Sequence, residues 1–452
     1  MPLLMNKELK KLTLFTAVNF VIANMVGTGV FTSLGFQLFD IKNPAAILIL
    51  WAIGGIMALF GSFVYGELGA AMPRSGGEYN FLSKIYHPSL GFLAGWISAT
   101  IGFAAPVAAA CIAFGTYYNL AIAELANTYS IGWLQATPMV AGLVVLVLIT
   151  LVHSNSIKTG GGFQNVFTIL KLTFIVIFIG AGLFFLPETQ PLSFAVSADT
   201  GNDIMNPAFA VALVFVSYAY SGWNASAYFV NDLKNPVKQL PKSLIIGSVA
   251  VMILYILLNF VFLISTPVGE MVGNPEIGLI AAMYIFGNKL GVFMGLFISL
   301  LLISSISSMI FAGPRVTMVM GEDFKLLNFL GKKNKNGIPY VALITQFVIS
   351  FVLIITSTFE SLITYTGFVL NLFTFFAVFG VFVHRRKFPD AERPVKTWGY
   401  PVTPIIFLIF NLWITIFVIY SRPVESLLGL ATIAVGAILY FFSKQSNKTK
   451  TI

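Results

Sequence analysis

The chain has 452 residues, of which 58% are hydrophobic and only 10% charged. A soluble domain is roughly a quarter charged, so a water-soluble enzyme is excluded. One cysteine excludes a disulfide framework, three histidines without a Cys/His cluster exclude a zinc site, and the formal charge of +9 has to be explained by where the charges fall.

Apolar runs of the roughly 20 residues that cross a bilayer recur at 13–38, 44–72, 88–123, 136–153, 163–186, 206–231, 240–266, 289–320, 339–357, 361–384, 401–420 and 425–443. Lipid satisfies no backbone amide, so all of them must be helices. The expectation is an all-α polytopic membrane protein of about twelve transmembrane helices, with the lipid bilayer as its first partner. The first run is too long for a signal peptide and lacks a small-residue cleavage site.

In chain order, the first span is interrupted by Val26-Gly27-Thr28-Gly29. Glu67 stands near the end of the second span, a turn or two from Arg74, where it would close an inner gate with loop charges or end a solvated helix. Cys111 sits in the third span as packing, and Glu124 at its outer end faces solvent. Lys171 lies well inside the fifth span. The sixth is interrupted by Ser221-Gly222-Trp223-Asn224, and the eighth carries Ser304, Ser305, Ser307 and Ser308. His87, His153 and His384 all fall at span ends, so no clustered nucleophile and base supports a membrane enzyme.

Charge sets the orientation. Among the 26 lysines and arginines, only Lys42, Lys289 and Arg422 fall on one side of an even-numbered topology, and Lys171 falls inside a span. The rest share the side of the termini, which places both termini in the cytoplasm. The charge of +9 is therefore topology, and no nucleic acid partner is expected.

The two interrupted spans open successive groups of five. An odd number per group inverts the second relative to the first, and paired interrupted helices at matching places point to a transporter binding site. The predicted units are 1–200, 201–396 and 397–452, the last holding two additional spans and a tail.

Three stretches resemble a known family. Asn24-Met25-Val26-Gly27-Thr28-Gly29-Val30-Phe31 resembles the helix break of the amino acid–polyamine–organocation (APC) transporters. Tyr65-Gly66-Glu67-Leu68-Gly69 and Pro73-Arg74-Ser75-Gly76-Gly77-Glu78-Tyr79 resemble that family's second span and following loop. Gly222-Trp223-Asn224 with Lys234-Asn235-Pro236 is similar to the L-type amino acid transporter branch. The resemblance implies a LeuT-like fold of five-plus-five inverted repeats with two C-terminal helices, and amino acid transport.

The breaks suit that cargo physically. Unpaired carbonyls near Ala23, Met25 and Val26 suit the ammonium of an α-amino acid, joined by those of Tyr218, Ala219 and Ser221. Unpaired amides at Thr28, Gly29 and Val30 suit its carboxylate. The middles of the first, third, sixth, eighth and tenth spans hold no Asp or Glu, so neutral amino acids are expected. Tyr218, Tyr220 and Trp223 are candidate pocket walls. By resemblance Tyr218 is an aromatic gate and Asn224 a polar organiser of the site.

An ammonium near mid-membrane costs about 2.5–3.5 kcal/mol on insertion scales. Snorkelling would have to cover about 12 Å, longer than a lysine side chain. The resemblance implies that Lys171 takes the place of a coupling sodium ion, bonded to a carbonyl of the first span and a hydroxyl of the eighth, with Ser304 and Ser308 among the candidates. That leaves proton symport or amino acid exchange as coupling modes. A sensor that binds without transport, and a carrier of cationic amino acids or polyamines, are the rival readings. The loop 124–135 lacks the cysteine by which animal L-type relatives tether a partner, so a stand-alone carrier of a bacterial inner membrane, with no disulfide-linked heavy chain, is expected.

Overall fold

The computed structural model describes residues 11–129, 136–274, 276–357 and 359–443. The loop 124–135 lies largely outside them, as do the side chain of Glu124 and the basic residues of both tails other than Lys11. The described chain is helical throughout. The helices are α1 (Leu14–Met25), α2 (Gly29–Gln37), α3 (Pro44–Ala71), α4 (Glu78–Ile85), α5 (Pro88–Ile97) and α6 (Ala104–Tyr129). They continue with α7 (Pro138–Asn155), α8 (Ile157–Phe184), α9 (Ala198–Met205), α10 (Pro207–Ala219), α11 (Pro236–Ser265) and α12 (Val268–Met271). The rest are α13 (Ile277–Phe286), α14 (Asn288–Asp323), α15 (Tyr340–Thr356), α16 (Phe359–Lys387), α17 (Val402–Ser421) and α18 (Pro423–Phe442). A π-turn at Ser98–Gly102 joins α5 to α6, and a 3₁₀ segment, Ala225–Asp232, follows α10.

Many of the starts are written in the sequence as a capping residue followed by proline. Asn43, His87, Thr137, Asn206 and Asn235 each accept a backbone N–H of the first turn with the side chain, and proline follows at the first helical position. There its missing N–H costs nothing and its φ is already helical.

Among the described residues ten stretches are long and apolar enough to cross a membrane, against the expected twelve or so. The sixth predicted span fails the length test because α10 stops after 13 residues at its break, and the ninth because α15 is 17 residues long.

The helices pack as two groups. In one, α11 lies along α3 and α1, and α10 packs on α2 and α3. In the other, α14 packs on α6, α7 and α15, and α8 bridges from α14 to α1 and α11. Close approach in the first group depends on small residues: Ser62 and Ser248 share a hydrogen bond of 2.8 Å between α3 and α11.

Both described ends lie on one face, here called the terminal face. Leu12 N donates to Asp232 O at 2.7 Å, and the Tyr440 ring lies 6.1 Å from that of Phe324, just beyond the end of α14. Ion pairs hold this face together. Glu67, fully buried, accepts Arg385 Nε at 2.8 Å and Nη2 at 2.7 Å, and the Thr397 amide at 2.6 Å; Arg393 approaches to 3.7 Å. Glu67 thus joins α3 to α16 and to the chain beyond it. Arg74, its neighbour in sequence, instead holds Asp323 with two bonds of 2.8 Å. Removing one partner of a buried pair strands the other charge, at about 3–5 kcal/mol. Arg385→Ala should therefore lower stability by about that much, and Arg385→Ala with Glu67→Gln by less; thermal unfolding in detergent measures both.

Candidate functional site

Backbone geometry at the two breaks defines the site. α1 ends at Met25, and Val26 leaves the helix with φ −78° and ψ 92°. The chain re-enters as α2 at Gly29, with no side-chain cap, so the amides of Thr28, Gly29 and Val30 lack an intrahelical partner. In the other break α10 ends at Ala219, and Gly222 takes φ +93°. A Cβ on Gly222 would stand 3.0 Å from the carbonyl carbon and oxygen of Asn24, and one on Gly29 would stand 2.8 Å from Ala219 Cα. The two breaks therefore touch at two points, and glycine at each permits the approach. Gly27 is different: its Cβ would meet only Ser305 Oγ, at 3.9 Å.

Most of this region is sealed. Met25, Val26, Thr28, Val30, Ala219 and Asn224 are buried, whereas Asn24, Gly27, Tyr218 and Gly222 are partly exposed and Ser221 is exposed. Tyr218 stands beside the Thr28 hydroxyl.

Several carbonyls expected to face an ammonium are held by the protein. Tyr255 of α11 directs its hydroxyl at Met25 O (2.7 Å) and Ala219 O (3.1 Å), tying the two breaks together. Tyr218 O accepts the Ser221 amide at 2.9 Å. Tyr220 and Trp223 turn away from α1. The Tyr220 hydroxyl donates to Trp51 O at 3.0 Å, and the Trp223 ring packs edge-on against Tyr65 with centroids 4.7 Å apart. Of the three candidate wall aromatics, only Tyr218 stays at the break.

Lys171 of α8 is fully buried. Its ammonium donates to Val26 O, to Ala23 O at 3.4 Å and to Ser305 Oγ at 2.8 Å, which uses all three of its protons. Ser305 also donates to Val26 O at 2.7 Å. Neither expected serine touches the lysine. Ser304 lies with Thr168 (3.1 Å) and Gln164 (3.1 Å), and Ser308 donates to Phe20 O at 2.9 Å. The structure corrects the choice to Ser305, because the four hydroxyls spread around the helix and only this one faces the end of α1. Ser307 shares a 2.8 Å hydrogen bond with His153, which lies in the last turn of α7 and is buried. Cys111 is buried and free.

Two further contacts join residues far apart in the sequence. Asp232, at the end of the 3₁₀ segment, pairs with Arg315 of α14, whose guanidinium lies 3.3 Å from the centre of the Phe311 ring. Asn224 donates to Glu78 Oε1 at 2.7 Å and to the Tyr228 hydroxyl at 2.8 Å. The motif Gly76-Gly77-Glu78 was visible, but nothing in it showed that the loop folds under the broken helix. Among the described residues no cluster of His, Cys, Asp and Glu is placed to hold a metal ion.

Known proteins share this chain nearly end to end. Residues 12–442 match the family described as amino acid permease. The chain is 29% identical over 441 residues to the b(0,+)-type amino acid transporter 1 of Mus musculus, covering 96% of this chain and 87% of that one. It is 28% identical over 452 residues to the large neutral amino acids transporter small subunit 2 of Homo sapiens, covering 96% and 80%. With the serine/threonine exchanger SteT of Bacillus subtilis (strain 168) the identity is 28% over 402 residues, covering 88% of each.

The contacts rank the glycines. Gly222→Ala combines a disfavoured φ with a clash against the α1 backbone and should abolish ligand binding, while Gly27→Ala should leave it within a few fold. Isothermal titration of the purified variants with amino acids decides between them. Tyr255→Phe, which strips the shared hydroxyl from two buried carbonyls, should cost about 1–3 kcal/mol in thermal stability.

Proposed function

This chain belongs to the amino acid permease family of the APC superfamily, a secondary-active transporter and not an enzyme, and from that premise we propose that it moves neutral L-amino acids by alternating access, without sodium. The observation that carries the proposal is the contact between the two breaks, which sets free amides on one side and carbonyls on the other within reach of one small zwitterion.

The carboxylate goes to the amides of Thr28, Gly29 and Val30 at the start of α2, where the helix dipole favours an anion. The Thr28 hydroxyl is an additional donor there. The ammonium goes to carbonyls not already taken by Lys171 or Tyr255, those of Asn24 and Ser221 being the nearest candidates. Tyr218 closes over the ligand. The side chain of a cationic substrate would find no free acid, because Glu67 and Asp232 are held by arginines and Glu78 lies behind Asn224.

Lys171 supports independence from sodium. Two backbone carbonyls and a serine hydroxyl around one monovalent charge form an oxygen cage, and the ammonium already fills it. Its place between α1 and α14 links the first break to the scaffold, so its loss uncouples the two. Proton symport and amino acid exchange both accommodate this arrangement. We read α1–α2 and α10 with its 3₁₀ segment as the first elements of two inverted repeats in a twelve-span, LeuT-like body. The abundance of Lys and Arg on the terminal face supports cytoplasmic termini in a bacterial membrane.

Counterflow in proteoliposomes with a panel of amino acids is the test. Alanine, serine or leucine should exchange, labelled arginine should compete poorly, and replacing sodium by choline should leave the rate unchanged. Lys171→Ala should reduce transport at least tenfold, since a tenfold loss needs only about 1.4 kcal/mol and the variant opens a buried gap beside Val26. Binding without flux would mark a sensor, and efficient arginine uptake or strong sodium stimulation would refute the substrate class or the role of Lys171.

A further inference from the structure

Among the described residues, the acids of the terminal face that are not fully exposed follow a rule with one exception. Glu67 faces Arg385 and Arg393, Asp232 faces Arg315, and Asp323 faces Arg74. Glu78, only 5% exposed, is in no ion pair among the described residues. Its donors are neutral, and all fall on one oxygen: the Tyr65 hydroxyl at 2.7 Å, Asn224 Nδ2 at 2.7 Å and the Tyr228 hydroxyl at 3.2 Å reach Oε1. Among the described residues no side-chain donor reaches Oε2.

The surroundings supply no compensating charge. α3 contributes Tyr65 and the paired Glu67. The 3₁₀ segment contributes Tyr228 and the paired Asp232. On α4 itself, Tyr79 donates to Asp323 at 2.6 Å, and Lys84 makes no ion pair among the described residues. α14 brings Arg315, Glu322 and Asp323, engaged with Asp232, Lys333 and Arg74. α16 brings His384, Arg385, Arg386 and Lys387; Arg385 is held by Glu67, and Lys387 donates to Ile85 O. α5 has no ionisable side chain. Burial pushes the Glu78 carboxyl above its ordinary range. An ionised carboxylate buried without a cation is costly. A neutral acid suits the geometry, with its proton on Oε2 and Oε1 as the carbonyl that accepts three donors.

The loop that carries Glu78 is bound to the element above it. The Gly76 and Gly77 amides donate to Tyr228 O (3.3 Å) and Ala227 O (3.1 Å), and Ser75 and Asn231 exchange two bonds of 2.9 Å. Opening at the terminal face by movement of the 3₁₀ segment would take away Asn224 and Tyr228 and admit water.

We propose that Glu78 is the proton-binding group of the transport cycle, carried as the neutral acid while the 3₁₀ segment is packed on it and ionised when that segment parts from it. On opening, the O–H bond at Oε2 breaks, the proton passes to water as hydronium, and the hydrated carboxylate remains. On the return half of the cycle the carboxylate takes its proton from hydronium in water that enters through the empty site, at whose edge Asn224 stands. This rests on the transport reading above and resolves its coupling mode as proton symport.

The experiment uses the full chain in proteoliposomes. At one proton per substrate, an inward gradient of one pH unit should drive about tenfold accumulation of a neutral amino acid, equivalent to about 1.4 kcal/mol. Glu78→Gln, which mimics the neutral acid, should keep counterflow while losing that accumulation and flattening the pH profile of uptake. Accumulation by Glu78→Gln equal to that of the native protein would overturn the proposal. So would native counterflow that no pH gradient drives uphill, an outcome that leaves the transport reading intact; absence of counterflow in the native protein would instead remove that reading. If Glu78→Gln does not fold, infrared spectroscopy of the native protein at pH 7 serves. A carboxylic-acid carbonyl band is expected, and its absence would overturn the proposal.

Discussion

A helix broken inside lipid exposes backbone groups that lipid cannot satisfy, and the architecture around α1 is organised by that demand. At the end of α1 the carbonyls of Ala23 and Val26 go to Lys171, that of Met25 to Tyr255, and Val26 also to Ser305. One turn earlier, Phe20 O goes to Ser308. These donors come from α8, α11 and α14, so three helices are pinned to one strip of backbone. The amides of α2 receive no such partner from the protein. The break is satisfied on its scaffold side and left open where a ligand with a carboxylate would sit. The asymmetry separates a site from a mere kink.

Lys171 and Glu78 answer opposite problems with the same economy. The lysine is a cation held only by neutral acceptors, and Glu78 an acid held only by neutral donors. They lie on different sides of the paired breaks, Lys171 fastening α1 and Glu78 reaching Asn224 at the end of the second break. The lysine's charge, held by dipoles alone, is more sensitive to small displacements than one held by a counter-ion, since each lost hydrogen bond removes a sizeable share of its stabilisation. Glu67 with Arg385 is the contrasting design: two bonds to a single guanidinium and a third to the Thr397 amide make a fixed joint.

The sequence was informative where chemistry is local. Glycines in apolar runs marked both breaks, and a lysine amid Leu, Ile and Phe stood out by its cost. It was silent where the answer depends on helix rotation or on contacts distant along the chain. Four serines in five positions cover too much of α14 to reveal which one meets Lys171. Tyr255 reads as one aromatic among many until α11 is seen to carry its hydroxyl between two carbonyls. Glu67 was weighed against Arg74, seven residues away, but its partner Arg385 is 318 residues on. Glu78 belongs to a loop motif, and a loop acid is ordinarily solvated; only the fold buries it.

The proposed cycle requires some of these contacts to break together. α1 and the 3₁₀ segment are joined through Gly222 on Asn24, and near the terminal face by Ser226 on Ala17 O at 3.4 Å and by Leu12 on Leu233. They therefore move as one piece. What ties that piece to α14 is Ser305 on Val26, Ser308 on Phe20 and Arg315 on Asp232. The first two lie close to the break, where the backbone can bend, whereas the ion pair lies at the terminal face, where displacement on opening is greatest. Water entering there rehydrates both charges, so the pair costs far less to open at that face than a dry pair would at mid-membrane. The strongest tie stands where solvent can replace it, and the ties that solvent cannot replace stand at the hinge.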